Sequence, residues 1–131
     1  MYLTNCFVNV ILLNFVLGIL LSTAHSALPE KYQQIVIGCY KENGYDGRPL
    51  DYFDPAVPNN FKCALACILE KKGFFKEDGS IDKVKFGKDM EEVIEDQDVR
   101  NRFLKAVDRC DPKARANNCE TAYEFTKCVN T

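Results

Sequence analysis

Histidine is almost missing from this chain, with one, His25, among 131 residues. Charge is missing from its start, where the first 29 residues contain no Asp, Glu, Lys or Arg. Inside that uncharged stretch, "FVNVILLNFVLGILL" is an apolar run of about 15 residues, shorter than the ~20 a bilayer span requires. It leads into "STAHSA", where Ala24 and Ser26 supply the small residues of a cleavage point ahead of Ala27. Residues 1–26 therefore read as a secretory signal peptide, although without the usual basic start, and 27–131 as the exported domain. His25 lies at the cleavage point and leaves with the leader. An exported chain without histidine has no Ser/His or Cys/His nucleophilic pair, no phospholipase-type histidine base and no histidine pH switch.

Other absences narrow the class further. The exported part, about 105 residues, carries all 17 basic and all 19 acidic side chains, so its net charge stays near −2. Without a basic stripe it is a poor nucleic-acid binder. No segment alternates apolar and polar residues at period two, which argues against strands, and there is no internal repeat. "KEDGSIDK" fails as a calcium loop, because Gly79 in the sixth position would put Phe74 in the first. The acidic run "DMEEVIEDQD" reads as a solvated helix face. No spacing singles out a carboxylate pair for glycoside hydrolysis.

Cysteine and helical periodicity are what the chain does have. Seven cysteines become six once Cys6 departs with the leader: Cys39, Cys63, Cys67, Cys110, Cys119 and Cys128. In a small secreted chain an even count implies disulfides, and a zinc site would have to take thiolates away from them. Tyr32, Ile35, Val36 and Cys39 fall at i, i+3, i+4 and i+7, predicting a helix from Pro29 to Lys41. "ENGYDGRPLDYFDPAVPNN" then reads as loop. Asn59 or Asn60 is the expected cap of a helix through "FKCALACILEKK", ended by Gly73 at positive φ.

After the turn "FFKEDGS", Ser80 is the expected cap of a helix reaching about Ile94, with Ile81, Val84, Val93 and Ile94 as its apolar marks and Gly87 as a weak point. Asp96 or Asp98 opens another, marked by Val99, Phe103, Val107 and Cys110. Asn117 or Asn118 caps the last, "CETAYEFTKCV", with Ala122, Phe125 and Val129 on one face. The expected fold is all-α, with five or six short helices.

Cys63 and Cys67 stand one helical turn apart, on one face. Helical neighbours at that spacing have Cβ atoms ~5–6 Å apart, whereas a disulfide needs ~3.8 Å. They should therefore not pair with each other, and many of the 15 pairings of six cysteines stay open.

Three residues separate Cys63 from Cys67, eight separate Cys119 from Cys128, and 42 separate Cys67 from Cys110. With this spacing behind a signal peptide, and with "GFFKEDGSID" and "CETAYEFTKC", the chain resembles the six-cysteine insect odorant-binding proteins, the pheromone-binding and general odorant-binding family, over about residues 27–131. The resemblance implies a compact bundle of about six helices around an apolar cavity. It also implies the pairs Cys39–Cys67, Cys63–Cys119 and Cys110–Cys128.

Matched to the family by cysteine offsets, the ligand-binding candidates are Tyr32, Phe53, Leu65, Leu69, Phe74, Phe75, Ile81, Met90, Leu104, Val107, Phe125 and Val129. Among them Tyr32 offers a phenol as polar anchor. The implied function is a non-enzymatic, cofactor-free, metal-free secreted carrier of small hydrophobic or amphipathic molecules, delivering them to an odorant receptor as a monomer or weak homodimer. The alternative is a secreted factor on the same scaffold acting on a protein partner. Three residues follow Cys128, and with histidine missing the expectation is a weak pH dependence of binding.

Overall fold

A computed structural model describes residues 29–48, 50–51 and 54–130. The leader and Phe53 lie outside the described residues. Within them there are five helices: α1 (Glu30–Glu42), α2 (Asn59–Lys71), α3 (Lys83–Val93), α4 (Gln97–Arg109) and α5 (Asn118–Val129). Non-helical pairing among the described residues is limited to an isolated antiparallel bridge between Phe75 and Ile81. None of the described helices is long and apolar enough to cross a membrane.

Helix α2 is the hub, packed against α1 on one side and α5 on the other. Its buried face is Phe61, Ala64, Leu65, Ala66, Ile68 and Leu69, and the two alanines let neighbouring backbones come close. Cys67 of α2 bonds Cys39 of α1, with Cα atoms 5.6 Å apart. One turn earlier, Cys63 bonds Cys119 of α5 at a Cα separation of 4.4 Å. Cys110, at the end of α4, bonds Cys128 of α5. The two thiols one turn apart thus staple α2 to two different helices, in the pairing that the family resemblance implied.

The helix ends correct several expected caps. Neither Asn59 nor Asn60 caps α2. The helix begins at Asn59 behind Pro58, with no side-chain cap, because a proline before the first turn already fixes the entering φ and has no N–H to satisfy. Ser80 does not cap α3 either. Asp82 does, accepting from the Lys85 amide at 3.1 Å, while Ser80 donates its amide and hydroxyl to Asp78. Those bonds, the hydroxyl's first, hold the Asp78 carboxyl below its usual range. Of the paired options, Asp96 caps α4 and Asn117 caps α5.

Gly73 ends α2 as expected, at φ 73°. Its amide reaches Glu70 O, and the Phe74 amide reaches Leu69 O, both at 2.9 Å. This is the Schellman pattern, and it turns Phe74 into the core.

Helix α3 runs unbroken through Gly87, and its buried face is Phe86, Gly87 and Met90. Val84, expected as an apolar mark, is 69% exposed. It stands two residues, about 200° of helical rotation, from Phe86. Gly87 is useful for its small size, since a Cβ there would sit 3.4 Å from Leu104 Cδ2. Aromatic rings fill the centre: Phe86 meets Phe74 at 5.1 Å, Phe125 at 5.3 Å and Phe103 at 6.0 Å between centroids.

Candidate functional site

Among the described residues, two spaces offer themselves as a binding site. The larger is an open trough of about 640 Å³ between α3 and α4. Val84, Leu104 and Val107 supply its apolar wall, but Lys83, Lys88, Lys105, Glu91 and Asp108 surround them. A guest there would remain in contact with water and charge. The smaller is a partly enclosed void of about 10 Å³ bounded by Tyr32, Leu69, Phe86, Met90, Thr126, Val129 and Asn130. Its walls come from α1, α2, α3 and α5, so it lies where the stapled helices converge with α3.

Four of the expected ligand-binding residues, Tyr32, Leu69, Met90 and Val129, meet at this void. Leu65, Phe74, Ile81 and Phe125 are buried in the surrounding core, each 2% exposed or less. Leu104 stands on the trough side of α4, Val107 borders the trough but is buried in the core, and Phe75 is half-buried at the bridge. The residues expected to share one cavity are therefore divided between a nearly filled interior and an outer groove. The expected apolar hollow is, in this conformation, about the size of one water molecule.

Helical packing explains why these residues arrive together. Leu69 sits one turn before the Schellman end of α2, facing inward. Thr126, Val129 and Asn130 share a face of α5 at i, i+3 and i+4. Phe86 and Met90 share a face of α3 at i and i+4.

The sequence reading missed Phe86, Thr126 and Asn130. Phe86 was legible once Met90 was chosen, because it stands four residues before it. The two polar residues interrupt an apolar stripe, although each stands within four residues of Val129 on the same side of the helix.

One edge of the void is polar. The Lys72 ammonium lies 5.0 Å from the Tyr32 ring centroid and 3.1 Å from Asp89 Oδ2. Burial pushes the Tyr32 phenol well above its ordinary range, and the Asp89 charge pushes it the same way. The phenol is thus a neutral hydroxyl at any ordinary pH. Across the void, Asn130 Nδ2 donates to Thr126 O at 2.7 Å, and Asn130 Oδ1 is buried without a hydrogen-bond partner. Among the described residues no cluster of His, Cys, Asp and Glu could hold a metal ion.

A family model, described as the PBP/GOBP family, matches residues 22–131. This chain belongs to that family, and its three disulfides fit an insect odorant-binding protein. The family is one of small-ligand binding proteins of extracellular carrier type. Comparison with curated proteins and with solved structures gives no match.

Proposed function

We propose that this chain is a secreted carrier, residues 1–26 being its signal peptide and 27–131 its binding domain. It would take up a small hydrophobic molecule at the void between α1, α2, α3 and α5 and carry it through aqueous fluid to a receptor. The observation that carries this reading is the partly enclosed, mostly apolar void where stapled helices meet an unstapled one, in a chain of a ligand-binding family.

Magnitudes say how the guest must enter. Micromolar binding is about −8 kcal/mol, which at ~25 cal/mol per Å² needs roughly 330 Å² of apolar surface removed from water, before association costs. No such guest fits in a void of about 10 Å³. Binding therefore requires the walls to part.

Met90 is the side chain suited to yield, being unbranched and adaptable, and it sits on α3, which no disulfide ties along its length or at its ends. Three covalent staples keep the other helices together while it moves. On this proposal the cavity is opened by its guest.

Titration of the oxidised exported domain with a fluorescent apolar amine probe tests the proposal, with native mass spectrometry for co-purified ligand and the mass deficit of three disulfides. Saturable micromolar binding at one site is expected. No binding of any apolar probe, or free thiols in the exported protein, would remove the proposal.

The open trough with exposed Val84 supports a second reading, a secreted factor that grips a protein partner there. On that reading Val84→Asp abolishes partner capture. On the carrier reading it leaves probe affinity unchanged.

A further inference from the structure

The polar groups at the void differ in what they ask of a guest. Asn130 is the C-cap of α5, and its Nδ2 is occupied by the Thr126 carbonyl at 2.7 Å. That bond ties down the amide and takes one of its two N–H donors. The end with no partner at all is the acceptor Oδ1, which is buried and receives no donor. An amide oxygen can accept two hydrogen bonds and donate none.

A buried acceptor left unpaired beside an apolar void penalises any guest that cannot donate to it and favours one that can. Tyr32 complements it, since a phenol O–H donates as well as accepts.

Building on the carrier reading, we infer that Asn130 makes the site selective for guests bearing a hydroxyl donor, a medium-chain or cyclic alcohol, over esters, ethers and hydrocarbons of the same shape. The alcohol O–H donates to Asn130 Oδ1, and its oxygen can accept from the Tyr32 hydroxyl. An ester or ether can accept from Tyr32 but leaves Oδ1 unpaired. A hydrocarbon satisfies neither group. The expected order is alcohol, then ether or ester, then hydrocarbon.

The experiment is competitive displacement of the bound fluorescent probe by a primary alcohol, its methyl ether, its acetate and the parent alkane. The alcohol should displace the probe at about tenfold lower concentration than the ether, the ratio one neutral hydrogen bond supplies. Asn130→Leu, which replaces the amide by an apolar group of similar size, should bring the two within about twofold by weakening the alcohol alone. Tyr32→Phe should weaken alcohol and ether together and keep their ratio.

Equal affinities for alcohol and ether in the unsubstituted protein overturn the inference, and this measurement needs no variant to fold. Persistence of the tenfold gap in a folded Asn130→Leu variant overturns it too. If the series binds without discrimination, the carrier reading survives and the assignment of Asn130 falls. If nothing in the series displaces the probe, or no probe binds, both fall.

Discussion

Helices α2 and α3 are both amphipathic and both bury large side chains, yet they are held in different ways. Two of the three disulfides leave from α2, at Cys63 and Cys67. Ion pairs reinforce it: Lys62 to Glu120 of α5 at 3.0 Å and Lys71 to Glu42 of α1 at 2.6 Å. Helix α3 has no cysteine.

What holds α3 is Phe86 among the other rings, the Asp89–Lys72 pair, and two lysines that donate to backbone carbonyls, Lys83 to Asp108 and Lys85 to Gly73. The void has one wall from each kind of helix. Leu69 belongs to the stapled framework, Phe86 and Met90 to the unstapled one. A covalent frame with one non-covalent wall can admit a guest without unfolding.

The largest test breaks the frame. Cys63→Ser with Cys119→Ser removes the bridge of widest sequence separation, 56 residues, and should cost about 4 kcal/mol on the chain-entropy account, read by denaturant titration, with a steeper slope as the unfolded chain expands. A loss below about 1 kcal/mol would mean that packing, not the staple, holds α2 to α5.

The next test thins the movable wall. Phe86→Ala should cost about 3 kcal/mol in stability, in the range of large core truncations. It should nevertheless strengthen apolar probe binding, because the volume it vacates adjoins the void. Weaker binding in the folded variant would indicate that α3 is part of a solid core.

The smallest effect concerns pH. Burial first, with Asp89, Tyr45 and Asp46 respectively as second cause, raises the phenols of Tyr32, Tyr40 and Tyr45, the last to about 12. A phenol whose pKa is higher folded than unfolded stabilises fully below the unfolded value near 10, and that contribution disappears as pH rises through the folded values. Stability should therefore decline above pH about 10 and fall further past 12. Between pH 5 and 8 Tyr32 stays neutral, so probe affinity should change less than about twofold. A large loss on mild acidification would overturn this expectation.

Much of the fold could be read from residue types alone, because helical stripes and punctuation are local. Gly73, Asp96 and Asn117 end or begin helices where their chemistry predicts. Where local rules failed, a neighbour decided. Pro58 took the N-cap position of α2 from the asparagines, Asp82 outcompeted Ser80, and Phe86 rather than Val84 set the inward face of α3.

The site was less legible. Periodicity marks a side chain as inward, as it did for Val36 and Phe125, but it carries no information on whether the space beside it is filled. Thr126 and Asn130 escaped because a polar residue on an apolar stripe looks like an interruption. Their value appears only with the hydrogen bonds, one made and one unmade, around the Asn130 amide.

The chain contains no tryptophan, so its ultraviolet emission comes from tyrosine, whose quantum yield answers to what touches the ring. Tyr32 borders the void, whereas Tyr40 and Tyr45 stack edge to face at 5.1 Å elsewhere in the interior. Occupancy can thus be followed by an optical signal native to the molecule, with no attached label and no competing indole.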